Sequence, residues 1–129
     1  MRYACLLVAL AIVGGPAQAA GLLVPVDEAR FGTIAVGKKV TVGIRPHDFA
    51  IASAGARVVA TFRVEIVEAL GFEAFAHGWL TSSGPRVIVR LESREVGDAK
   101  ARGELPLTVD PARVHLFDEA TGLSLEQSV

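Results

Sequence analysis

Three features predict an all-β fold. Short runs rich in valine and isoleucine alternate polar and apolar residues with period two. Glycine and proline turns separate these runs, and no helical stretch creates a βαβ rhythm. The chain of 129 residues has room for one ordinary domain. Hydrophobic residues make up 51% of it, so a core can form without disulfide or metal support.

Charge and cysteine usage narrow the function. Thirteen basic and fourteen acidic residues are interspersed, and the net charge of −1 points to no nucleic acid and no anionic membrane surface. Cys5 is alone, so no internal disulfide forms. His47, His77 and His115 are too far apart for zinc-ligand spacing, and neither metal nor cofactor is expected.

The elements follow in order. Residues 1–20 carry Arg2, an apolar run from Ala4 to Val13, then Gly14, Gly15, Pro16 and the small residues Ala17 to Ala20. A positive start, about ten apolar residues and an Ala-x-Ala site have the form of a secretory signal peptide. The other reading is an ordinary buried apolar segment at a fragment's new start. Residues 21–129 then form the domain proper. Leu22 to Val26 reads as a short strand, and Lys39 to Arg45 alternates as a half-buried strand closed by Pro46. Arg57 to Leu70 is the longest run, with Phe62, Val64 and Ile66 opposed to Arg63 and Glu65, and Gly71 breaks it.

Phe72 to Leu80 and Val87 to Leu91 are the next strands, joined by a turn at Ser82 to Pro85. Val96, Gly97 and Asp98 read as another turn. Leu105 to Val109 reads as a strand near an edge, Asp110-Pro111 as a turn, and Val114 to Phe117 as the last strand. Six or seven short strands at this spacing predict a small OB-type barrel.

Catalytic patterns fail one by one. Gly32 to Lys39 fits Gly-x-x-x-x-Gly-Lys, but Lys39 stands where Ser or Thr should hold magnesium. The loop also leads into a β-branched strand instead of a helix whose amides could face phosphates. His77 with Ser82 and Ser83 lacks a nucleophile elbow and a third orienting group. His77 reads as a strand-end histidine beside a partly buried aromatic, while Phe62 and Phe75 read as core-facing. Glu65 and Glu68 fall on opposite faces of a regular strand and cannot share a substrate. No enzyme is expected.

The stretch from Thr41 to Phe49 contains Gly43-Ile44-Arg45-Pro46 followed by His47 and Asp48. It resembles the Gly-Ile-Arg-Pro-Glu-His signature in the C-terminal transport-associated OB (TOBE) domain of maltose-type and glycerol-phosphate-type ABC importer ATPase subunits. Val67 to Glu73, with Glu68 and Gly71, is similar to the family's Val-Glu-x-Leu-Gly-x-Glu strand and turn. Leu107 to Asp118, with His115, Phe117 and then Thr121-Gly122, is similar to its closing segment. Together these motifs cover roughly residues 21 to 125.

The resemblance implies an accessory or regulatory domain that contacts importer ATPase or permease subunits, or pairs as a homodimer. It implies a place at the cytoplasmic face of the inner membrane. An exported small-ligand-binding β-domain is the alternative if residues 1–20 are a working leader. Arg45, Pro46, His47, Glu68, Gly71, His115 and Phe117 are the contact candidates. Arg45 can clamp nearby carboxylates and carbonyls, or meet a partner at the rim. His47 replaces the family's permanent charge with a titratable one.

Overall fold

The computed structural model describes residues 6–12, 17–19, 22–24, 26–80 and 84–126. They form strands β1 (Leu6–Ile12), β2 (Ala17–Ala19), β3 (Leu22–Val24), β4 (Lys39–Ile44), β5 (Phe49–Ile51), β6 (Ala60–Ala69), β7 (Glu73–Leu80), β8 (Arg86–Glu92), β9 (Glu104–Val109) and β10 (His115–Asp118). Two short helices, α1 (Glu28–Phe31) and α2 (Val96–Arg102), interrupt them.

The strands make two antiparallel sheets of five, in the orders β10-β4-β1-β2-β3 and β5-β9-β6-β7-β8. β5 also lies alongside β8, so the second sheet curls into a nearly closed barrel of the OB type. Ten strands appear among the described residues against the six or seven expected. The increase comes from β1 and β2 in the 1–20 segment and from β5, which resumes after the Pro46 turn.

Alternation sets which side chains enter the core. Val40, Val42 and Ile44 of β4 are wholly buried, as are Phe62, Leu80, Leu91, Leu105, Leu107 and Leu116. Both sheets contribute to one continuous cluster. The Leu23 amide also donates to the Val59 carbonyl at 2.9 Å, tying β3 to the approach to β6.

Arg30 fastens the other end. Its guanidinium donates to the carbonyls of Pro111 and Val114 at 2.8 Å each and to Glu126 at 3.1 Å, and it lies over the Phe31 ring. Helix α1, the turn before β10 and the carboxyl-terminal segment are thereby held by one side chain.

Several expectations change. A β-bulge between Val64 and Ile66 shifts the phase of β6 by one residue. Ile66 is therefore 59% exposed instead of buried. The same shift leaves both Glu65 and Glu68 on the exposed side, where Glu65 pairs with Arg86 at 3.2 Å. On β7 the buried set is Ala74, Ala76, Gly78 and Leu80, so Phe75 faces outward, and His77 lies in mid-strand.

Val96 to Asp98 is the first turn of α2 and not a loop. Glu92 and Glu95 form a capping box before it, and Gly103 at φ 72° ends it. β9 sits one strand inside the sheet, with the three-residue β5 as the edge.

Candidate functional site

The Arg45 region is built by a strand, a proline and a change of sheet. β4 carries Gly43 and Ile44 to its end, Arg45 remains extended, and Pro46 opens a single 3-10 turn through Asp48. Phe49 is buried and starts β5, so the turn hands the chain from the first sheet to the barrel. The turn packs against β8. Pro46 is buried beneath it, while Arg45 is half-buried and His47 exposed.

The other predicted residues divide between the sheets. His115 pairs with Gly43 and Phe117 with Thr41, both half-buried on β10. This places His115 near Arg45 along one sheet. Glu68, opposite Phe75, and Gly71, at φ 86° in the β6–β7 turn, belong to the barrel. The Gly71 carbonyl accepts from the Ser93 hydroxyl at 2.6 Å, and the Phe72 carbonyl accepts from the Ser93 amide. The candidates thus form two groups and not one cluster.

Two shallow depressions accompany them. One of about 360 Å³ is lined by Lys38, Lys39, Asp118, Glu119 and Ala120. One of about 320 Å³ lies between α2 and the bulge, lined by Val64 to Val67, Ala99, Lys100 and Gly103. The Gly32–Lys39 loop borders the first, and Lys39 begins β4 instead of a helix. Among the described residues, no three His, Cys, Asp or Glu side chains are grouped to hold a metal ion.

Asp118 is the most strongly held carboxylate in the first depression. Lys38 donates to it at 2.5 Å, and the Ala120 and Thr121 amides donate to its other oxygen. The Lys38 hydrogen bond, then the two amides, hold its pKa below the ordinary 3.8. A carboxylate depressed in the folded state stabilises above its unfolded value, and this contribution fades as pH falls through the folded value. The thermal midpoint should therefore fall below pH 3.8. Asp118→Asn should lower the midpoint at neutral pH and flatten that acid limb, as read by circular dichroism melts across pH.

Sequence reasoning missed Arg30 and the outward face of β6, β7 and β8. Arg30 lies in a short, unpatterned segment, and only Asp27, whose side chain accepts from the Ala29 amide, marks a helix start there. The face is hidden in the sequence because the bulge moves Ile66 outward and because hydrophobicity alone places Phe75 in the core.

No family model matches the chain. The sn-glycerol-3-phosphate import ATP-binding protein UgpC of Cupriavidus pinatubonensis is 32% identical over 104 residues, covering 78% of this chain and 27% of that protein. The Ralstonia nicotianae protein of the same name is 38% identical over 84 residues, covering 65% and 22%. That of Cereibacter sphaeroides is 32% identical over 112 residues, covering 85% and 31%. The chain spans about a quarter of the length of these curated relatives.

A solved structure of the cytoplasmic molybdate-binding protein ModG, with molybdate bound, shares the fold. Its TM-score is 0.58 at 17% identity, over 88% of this chain and 92% of that one. No helix among the described residues is long and apolar enough to cross a membrane. The chain is a relative of the ABC import ATP-binding proteins and resembles their C-terminal transport-associated OB domain.

Proposed function

We propose that this chain is an accessory, non-catalytic domain of an ABC importer for a sugar, polyol or glycerol-phosphate solute. It works at the cytoplasmic face of the inner membrane by contacting ATPase or permease subunits, or a regulator. The observation that carries this reading is the similarity to import ATP-binding proteins over 78% of the chain. The Gly43-Ile44-Arg45-Pro46 signature at the junction between the sheets supports it. In this reading Arg45 and His47 form one contact region with His115 and Phe117. Glu68 and Gly71 belong to a second.

A second reading, an exported small-ligand-binding domain, is favoured by the leader-like 1–20 segment. The molybdate-binding neighbour adds support, since it puts small-anion binding on this fold. Pairing of β1 with β4 over Leu6 to Ala11 favours keeping that segment in the domain.

One experiment separates the two. The protein is captured at native expression from a membrane fraction, its companions are identified, and its own mass is read. Importer subunits with residues 1–20 intact are the expected result. Recovery without them counts against the first reading, and a mature chain beginning at Ala20 supports the second.

A further inference from the structure

Strand β9 covers only the first part of β6. Their pairing runs from Ala60–Leu107 to Arg63–Glu104, and the Val64 amide then donates to the Gly103 carbonyl at 2.8 Å. The chain before β9 turns away there into α2, while β6 continues to Ala69 beside β7 alone. From Glu65 to Ala69, the side of β6 away from β7 is therefore a sheet edge.

The backbone groups of this edge follow from the hairpin. The Leu70 amide donates to the Glu73 carbonyl, so Glu68 and Ile66, two and four residues back, also turn their amides and carbonyls toward β7. Those of Val67 and Ala69 point the other way, and they meet no backbone partner among the described residues. Such an edge is a template for one more strand.

The side chains beside it are specific. The depression of about 320 Å³ lies along the same edge, with Val64 to Val67 on one wall and Ala99, Lys100 and Gly103 on the other. Val67 shares the inner side of the hairpin with buried Ala76, and Glu68 shares the outer side with Phe75. Lys100 and Glu68 form no salt bridge among the described residues. An added strand thus meets an apolar wall and a cation on its inner face, and a carboxylate on its outer face.

We propose that this edge binds an extended peptide segment of a partner protein as a strand antiparallel to β6. The segment places apolar residues and a carboxylate toward α2, and a cation opposite Glu68. A second copy of the chain is disfavoured. The register that pairs Val67 of each copy with Ala69 of the other sets Glu68 against Glu68. This binding mode goes beyond the importer reading, which gives Glu68 a contact role without saying what it takes. It holds whether or not the partner is an importer subunit, so the two can fail separately.

The probe is a fluorescein-labelled peptide, Ser-Val-Lys-Val-Thr-Asp-Ser, titrated with the full chain and read by fluorescence anisotropy. Saturable binding should slow hydrogen exchange at the Val67 and Ala69 amides, as read by NMR. Methylating both valine amides of the peptide should abolish binding, because these donate to the edge. Ala69→Pro removes an outward donor without breaking a bond to β7, and it too should abolish binding. Lys100→Glu should raise the dissociation constant at least about tenfold. The same variant should regain affinity for a peptide with Lys in place of Asp, a rescue that misfolding cannot produce. No binding at about millimolar chain concentration overturns the proposal. So does binding that survives methylation of the valine amides. Edge amides protected without peptide, increasingly as chain concentration rises, would assign the edge to a second copy and overturn it as well.

Discussion

Gly78→Ala is expected to lower stability by about 3 kcal/mol and the thermal midpoint by roughly 10 °C. The cause is a backbone approach and not a conformational preference of glycine. A Cβ at this position collides with the Arg63 carbonyl oxygen, lies 2.9 Å from its carbon and 3.1 Å from the Phe62 ring. A side-chain end can swing away, but a carbonyl in a paired strand moves only if the ladder moves with it. Gly78 pairs with Val64 at the start of the bulge, so the carbonyl is held by the irregularity that re-aims Ile66.

Gly97→Ala is the matched control. Gly97 lies in α2 with nothing within 4 Å of the added Cβ, and there alanine should stabilise by about 0.5–1 kcal/mol. Paired chemical-denaturation curves decide between them. An unchanged midpoint for Gly78→Ala would show that β6 and β7 do not approach this closely.

The residues around Gly78 also explain how far the sequence could be read. The strands of the second half are visible because their buried residues alternate. Val87, Val89 and Leu91 do so on β8, and Leu105, Leu107 and Val109 on β9. On β7 the same rule is ambiguous, since small alanines face inward and the larger Phe75 and Trp79 face outward. Hydrophobicity alone assigns the aromatics to the core. The true phase depends on the close β6–β7 approach, which only small residues permit. A bulge leaves no mark in a run such as Val64 to Val67, because every residue there suits a strand.

Helix α2 was obscured for another reason. It has only seven residues, with Gly97 near its start. Its evidence is distributed over the Glu92–Glu95 capping box, the Asp98–Arg102 pair and the left-handed Gly103. The Arg45 region was legible because a proline immediately after an alternating strand fixes a local turn. That β4 and β5 then enter different sheets is a long-range fact. It depends on pairing with β1, β9 and β10, which no local pattern encodes.

Phe62→Ala should cost more than Gly78→Ala, about 3–5 kcal/mol. Phe62 has no exposed surface and is foremost by volume among the fully buried side chains. It pairs with Leu80 on one side and Leu105 on the other, so its ring fills the middle of the barrel. Against a typical stability of about 5–15 kcal/mol, this loss should bring the midpoint close to physiological temperature. Combining Phe62→Ala with Gly78→Ala tests where the second cost resides. Removing the ring relieves the 3.1 Å contact but leaves the Arg63 carbonyl in place. The double variant should therefore lose nearly the sum of the single effects, with a small coupling energy. Recovery of most of the Gly78→Ala loss in the truncated background would instead identify the Phe62 ring as the obstacle and free the bulge of that role.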